Sequence, residues 1–336
     1  MSSKILSLWV ATLALLSSGV VGAQDTPAVV TNPYSKPALA GDSFDKDIAF
    51  KWLEAVCKIG PRISTTEGMK KQQQMLIGHF QSVAGKAYYQ RFNVNDPRSG
   101  QAVELQNLII RWHPERKKRV MFCCHYDTRP FPDRDPVNPQ GVFIGANDGG
   151  SGVGLLCELG RHIEVLGGDY GIDFIFFDGE EFVFVDRRDP MFLGSQFFSD
   201  QYAAGRYDVK YESAILVDMI GDADLQLRLE THSLKYAKKL SQSIWRVAKN
   251  LKVKEFIIQR GHTIFDDHLP LNKTAKIPTC DIIDFDYPDS KTGNQYWHTT
   301  KDVVENCSAD SLGKVGKVLL EWTRQVQQIN SPKKKR

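Results

Sequence analysis

The sequence predicts an α/β fold, a three-layer α/β/α sandwich around a central mixed, largely parallel sheet. Short apolar runs at residues 120–124, 172–177, 214–217 and 279–283 are of the kind that fill a sheet covered on both faces. Stretches of helical periodicity alternate with them, including 152–163, 234–251 and 309–329. Residues suited to chemistry stand at or close behind the ends of three of these runs, at His125, Glu181 and Asp218. Ligand crevices of open α/β sheets lie in that position, beyond the carboxyl ends of the strands.

In chain order, Lys4 precedes an apolar run from Ile5 to Leu16, and small residues follow up to Val21-Gly22-Ala23. This is the layout of a cleavable secretory signal over residues 1–23, so the expected location is secreted or periplasmic. The apolar stretch is too short to span a bilayer comfortably, and no cysteine stands at the expected cut to carry a lipid. No stable membrane anchor is therefore expected after cleavage; the alternative is a short anchor left uncleaved. Residues 24–43 hold Pro27, Pro33 and Pro37 among small residues and read as an extended lead-in. A single catalytic domain is expected over 44–330, followed by a basic, frayed tail at 331–336.

Within that domain, apolar spacing at Ile48, Trp52 and Val56 predicts a helix over 45–58, stopped by Gly60-Pro61. A second helix is expected over 66–83, then strands at 88–94 and 105–112 around a turn at 97–100. Lys and Arg total 43 against 40 for Asp and Glu, a formal charge of +3 with no dominant sign. Nothing in that balance asks for nucleic acid. The six cysteines are too few and scattered for a disulfide scaffold. Cys123 and Cys124 should alternate strand faces, which leaves open a bridge from either to Cys157 or a simple role as small buried side chains. Asn272-Lys273-Thr274 and Asn306-Cys307-Ser308 fit glycosylation sequons, a short pattern that also arises by chance.

The chemistry concentrates in five short motifs: His125 in C-C-H-Y-D, Asp148 in G-A-N-D-G-G, Glu181 in F-D-G-E-E, Asp218 in L-V-D-M-I-G, and His298 in Y-W-H-T. Imidazole and carboxylate donors in this mixture suit zinc. Glu180 and Glu181 are adjacent carboxylates after an apolar run, and a nearby cation relieves their repulsion. One of them can bind metal while the other acts as acid and base. The glycines around Asp148 permit a tight turn, but they lack the G-x-G-x-x-G arrangement after a strand that a dinucleotide site needs.

The ordered set H-Y-D-T, G-A-N-D-G-G-S-G, F-F-D-G-E-E, F-L-G-S, L-V-D-M-I-G, D-D-H and W-H-T resembles the zinc-dependent exopeptidase superfamily, which includes aminopeptidases and glutaminyl cyclases. The resemblance runs from about His125 through the last helix and implies a zinc exopeptidase-like sandwich. It implies that Asp148, Glu181 and His298 hold zinc, and that Glu180 is the general acid and base. His125 and Asp218 match residues that complete a second metal site in the aminopeptidases. The long segment 182–192, the run Asp266-Asp267-His268-Leu269-Pro270 and Trp297 before His298 resemble the glutaminyl cyclase branch. That branch implies one zinc, catalytic roles for Glu180, Asp218 and Asp266, a substrate pocket containing Trp297, and peptide or protein N-termini as substrates. Two departures stand out: Asp186 falls where a second pocket tryptophan is expected, and Phe265 stands where cyclases often carry a polar residue. The alternatives are a secreted aminopeptidase with two zinc ions and, in another class, a non-catalytic peptide-binding module, which should show a defective ligand or base.

Overall fold

The structure is a computed structural model that describes residues 35–287 and 296–329. The expected signal segment 1–23, the first part of the lead-in and the basic tail 331–336 lie outside the described residues. Helix α1 (Lys46–Lys58) starts at Asp45, whose side chain accepts from the backbone N–H groups of Asp47 and Ile48. It buries Ala49, Trp52, Leu53 and Val56, the face that its spacing predicts. Helix α2 (Glu67–Ser82) follows, then an antiparallel hairpin of β1 (Lys86–Asn95) and β2 (Ala102–Trp112).

From there the chain alternates strand and helix. β3 (Lys118–His125), α3 (Gly152–Ile163), β4 (Gly171–Phe177), α4 (Leu193–Ala203) and β5 (Lys210–Asp218) lead to two short strands, β6 (Leu227–Leu229) and β7 (Phe256–Arg260). These two pair in a separate small sheet and enclose α5 (Thr231–Tyr236) and α6 (Lys238–Asn250) in sequence. After α7 (His268–Lys273), β8 (Thr279–Ile283) returns to the main sheet, and α8 (Ala309–Ile329) closes the described chain. The main sheet has the order β1-β2-β4-β3-β5-β8. Its last four members are parallel, and the β1–β2 hairpin joins antiparallel along β4.

Period-two alternation splits each strand between two cores. Phe122, Cys124, Phe174, Phe176, Ile215 and Val217 face the core shared with α1, α3 and α8. Met121, Cys123, Ile175, Phe177 and Leu216 face the opposite core, with Phe198 of α4 and Leu271 of α7. The predicted three layers are therefore present, and both faces of the central strands are dry. Cys123 and Cys124 do point to opposite faces, and all six cysteines are buried and unbridged. Among the described residues, no helix is long and apolar enough to cross a membrane.

Two local expectations change, and a third run is placed. The helix expected over 234–251 is two helices, broken at Ala237, where φ falls to −131° and the backbone N–H bonds to Ser233. The Asn272 sequon does not offer a free amide. Its side chain is buried, donates to the carbonyls of His268 and Thr279, and accepts from the Thr279 N–H. Asp267-His268, readable in isolation as a surface turn, is fully buried at the start of α7.

Candidate active site and metal centre

In the parallel part of the sheet, β3 has β4 on one side and β5 on the other, so the chain leaves neighbouring strand ends in opposite directions. Such a reversal opens a crevice beyond the strands' carboxyl ends. His125 is the last residue of β3, Glu180 and Glu181 follow β4, and Asp218 is the last residue of β5. Asp148 reaches the same place through the turn 146–151 that precedes α3. This turn needs glycine at Gly149, where φ is +81° and an added Cβ would sit 2.9 Å from the His125 ring. Asp302 fixes the turn from below: one carboxylate oxygen accepts from the Asn147 N–H at 2.7 Å and the other from the Asp148 N–H at 3.1 Å.

All five motif residues converge, in two overlapping groups. One nitrogen or oxygen each from Asp148, Glu181 and His298 lie within 4.8 Å of one another, and the same holds for His125, Asp148 and Asp218. In the first group, His298 Nε2 is 3.2 Å from Glu181 Oε1 and 3.5 Å from Asp148 Oδ2. Asp148 Oδ2 is buried with no hydrogen-bond partner. An orphaned carboxylate oxygen facing an imidazole and a second carboxylate is what a cation site presents, and two oxygens with one nitrogen suit zinc. In the second group, His125 Nε2 lies 3.0 Å from Asp148 Oδ1 and 3.2 Å from Asp218 Oδ1. A third group, Asp266, His268 and Asp281, lies buried among the same strand ends.

The first group is braced by residues that no motif singled out. Arg129, on the loop leaving β3, is buried and donates through Nη1 to Glu181 at 3.2 and 3.3 Å. Its other nitrogens donate to both oxygens of Asp133 at 2.9 Å, and Asp133 lies 3.2 Å from His298 Nδ1. Asp133 thus flanks one ring nitrogen of His298, while Nε2 on the other side is turned to Glu181 Oε1 and Asp148 Oδ2, where a metal would bind. Asp127 accepts the Glu181 N–H at 3.0 Å. His298 itself has φ of +56°, an uncommon conformation for a residue with a Cβ. A basic residue four positions after a motif histidine is the one sequence signal that points to Arg129. Asp186, where a second pocket tryptophan is expected, instead lies 3.6 Å from Arg129.

These placements push the groups in opposite directions. Burial would raise Glu181, but His298 and Arg129 outweigh it and hold its carboxyl well below the usual range. Burial and then the Glu181 charge push the neighbouring Glu180 well above that range. His298 is lowered by burial and raised more strongly by Glu181 and Asp133, to about 9. Burial also raises Asp266, with Asp218 and Asp267 adding to it, and raises Asp267 to about 7. Glu180 is 7% exposed, with Oε2 4.0 Å from His125 Nδ1, so a buried carboxyl borders the two groups. Trp297 is half-buried against His298, ring centroids 4.0 Å apart.

The sequence profile of peptidase family M28 matches residues 107–323, which include every residue of this site. The chain belongs to peptidase family M28. Its fold and sequence are similar to the solved glutaminyl cyclase of Fimbriiglobus ruber, at 36% identity and a TM-score of 0.79, covering 86% of this chain and 97% of that one. A Zn-dependent exopeptidase from Parabacteroides distasonis is similar at 35% identity and a TM-score of 0.76, covering 83% of this chain and 98% of that one. Bovine glutaminyl-peptide cyclotransferase is 24% identical over 241 residues, which are 63% of this chain and 64% of the bovine one. The chain thus spans just under two thirds of the length of that relative.

Proposed function

We propose that this chain is a zinc-dependent glutaminyl-peptide cyclotransferase, converting the N-terminal Gln of a peptide or protein to pyroglutamate with release of ammonia. The observation that carries the reading is Glu180: a buried carboxyl 4.0 Å from His125 and next in the chain to Glu181 of the Asp148, Glu181 and His298 group, pushed above the ordinary carboxylate range by burial and the Glu181 charge. Similarity to the Fimbriiglobus ruber glutaminyl cyclase supports it. Asp148, Glu181 and His298 would hold one zinc, which when bound supplies Lewis-acid polarisation of an amide carbonyl.

The chain's own residues do the rest. Trp297 borders the entrance and packs against the substrate's N-terminal residue. The α-amine nitrogen attacks the side-chain amide carbon, so a new C–N bond closes a five-membered ring and the bond to the side-chain NH2 breaks. Glu180 accepts the proton that the α-amine loses and passes it to the departing NH2, which leaves as ammonia. Burial and the Glu181 charge push its carboxyl up from the usual carboxylate range, the direction that a group taking and returning a proton needs. Asp218 and Asp266 hold the leaving nitrogen through hydrogen bonds. With the signal layout of residues 1–23, the reaction takes place outside the cytoplasm.

The convergence of His125, Asp148 and Asp218 favours a second reading, an aminopeptidase in which His125, Asp148 and Asp218 would hold a second zinc ion and Glu180 would accept a proton from the attacking water. Incubation with a peptide that begins with Gln, read by mass spectrometry, separates the readings. Loss of ammonia from an otherwise intact peptide is expected; loss of the first residue would establish the peptidase, and no change would leave a binding module.

A further inference from the structure

The loop that leaves β3 lies along the turn that carries His298, and three consecutive residues of it divide their side chains. Asp133 lies 3.2 Å from His298 Nδ1 and accepts from Arg129. Asp135 is buried and accepts from the Thr300 N–H at 2.8 Å and from the Thr300 hydroxyl. Arg134 stands between them, and its own backbone N–H donates to the His298 carbonyl at 3.1 Å. All three positions are therefore tied to the turn, yet the Arg134 side chain is exposed. Its guanidinium carbon lies over the Trp297 ring, 4.1 Å from the centroid, and Trp297 lies 4.0 Å from the His298 ring. Among the described residues no carboxylate forms an ion pair with Arg134, because its two acidic neighbours are turned to other partners.

We propose that Arg134 is a specificity-determining residue whose guanidinium receives the carboxylate of an acidic side chain on the second residue of the peptide. This rests on the reading of the site as one that takes a peptide N-terminus with Trp297 at its entrance. The first residue turns its side chain inward to the Asp148, Glu181 and His298 group, and the peptide leaves past Trp297. The second Cα is only about 3.8 Å further along, so its side chain comes to the cation that rides on that ring. A guanidinium stacked on an indole keeps its edge N–H groups pointing outward, where their planar fork matches the two oxygens of a carboxylate. The aromatic platform and the carboxylate therefore do not compete for the same face of Arg134. At an exposed position such a pair contributes modestly and is screened by salt, so its use is discrimination by charge: an acidic side chain is drawn in and a lysine is repelled.

Competition between peptides reads this inference whichever product forms. Gln-Glu-Ala amide, Gln-Ala-Ala amide and Gln-Lys-Ala amide are mixed in equal amounts with the zinc-loaded chain, and mass spectrometry follows the consumption of each, which gives the ratio of their kcat/KM values. The expected order is Glu, then Ala, then Lys, with about tenfold between the extremes at low salt and a smaller spread at about 0.5 M salt. Arg134→Lys should keep the order, Arg134→Gln should flatten it to within about twofold, and Arg134→Glu should invert it in favour of the Lys peptide. Arg134 is exposed, so none of these changes threatens the fold, and an inverted order does not arise from a damaged site. No preference in the unaltered chain, an order that survives Arg134→Gln or one that Arg134→Glu fails to invert would overturn the inference, as would consumption of none of the peptides. The products decide the cyclase reading separately: loss of ammonia supports it, whereas loss of the first residue replaces it with the peptidase reading and leaves the order among peptides to test Arg134.

Discussion

On the His298 side of the site carboxylates meet cations, whereas on the Asp266 side buried carboxylates crowd together. Glu181 and Asp133 share Arg129, and Asp133 and Glu181 bracket His298, so the charges alternate. Both carboxyls are held below their ordinary range: Glu181 by His298 and Arg129 against the effect of burial, Asp133 by His298 and Arg129 against the same effect. On the other side, Asp266, Asp267 and Asp281 are all buried, and burial raises all three, with Asp218 and Asp267 adding for Asp266, Asp127 and Asp218 for Asp267, and Asp266 and Glu230 for Asp281. Asp266 Oδ2, Asp267 Oδ2 and both Asp281 oxygens have no hydrogen-bond partner. The difference teaches a division of labour. Fixed negative charge with oriented partners holds a metal; carboxyls that retain protons near neutrality can lend and take them. Glu180 sits at the seam, one residue from the metal-side Glu181 and with the character of the acid side.

Breaking the metal side should have the largest effect. Asp148→Ala, Glu181→Ala or His298→Ala each removes one of three donors that lie within 4.8 Å of one another, so zinc content and turnover should fall together to background. Treatment with a chelator should reproduce the loss, and added zinc should restore it only in the unaltered chain. Full zinc occupancy in any of the three purified variants, measured by elemental analysis, would remove that residue from the ligand set.

Changing the seam should separate the two halves. Glu180→Gln preserves shape and removes proton transfer, so zinc should stay while turnover drops by about 10² to 10⁴-fold, the usual worth of general acid and base catalysis. Near-normal ammonia release with normal zinc would show that another group carries the proton.

A smaller effect is expected from the brace. Asp133→Ala takes away the carboxylate 3.2 Å from His298 Nδ1 and a partner of Arg129, but no ligand. Loss of such an orienting partner typically weakens metal affinity by about 10 to 100-fold, and a competition titration with a chelator of known strength should find a change in that range. An unaltered affinity would mean that packing alone orients His298.

The fold was legible where one rule governed a whole element. The runs at 120–124, 172–177, 214–217 and 279–283 became β3, β4, β5 and β8, because strands covered on both faces must be apolar throughout. The same rule failed at 234–251, where the periodicity continues through Ala237 although the backbone does not. Helix α4 was not foreseen: it starts from Phe192 in a left-handed conformation without a side-chain cap, so no start signal precedes it. In the site, His125 and Asp218 were legible because each ends a strand, Glu181 because it closely follows one, Asp148 because it sits in a glycine turn, and His298 only through its W-H-T motif. Asp302 was not, since its role is to hold the backbone of Asp148 and nothing in Lys301-Asp302-Val303 announces a partner 154 residues earlier. Asp281 was hidden for the opposite reason, as a charge inside an apolar strand whose meaning depends on neighbours from other strands.

The finest test lies where the two halves share a residue. Asp148 faces His298 through Oδ2 and His125 through Oδ1, so the same carboxylate could bridge two metals or hold one metal and one imidazole. The proposed cyclase needs only the first group. His125 then serves as a wall between Asp148, Asp218 and Glu180, and its ring keeps these acids apart. His125→Ala should therefore leave one zinc per chain in place, with any loss confined to turnover. In the peptidase reading the ring is a ligand, and its removal empties one of two metal positions. Elemental analysis that finds two zinc ions in the unaltered chain and one in His125→Ala would reject the single-metal cyclase in favour of the peptidase.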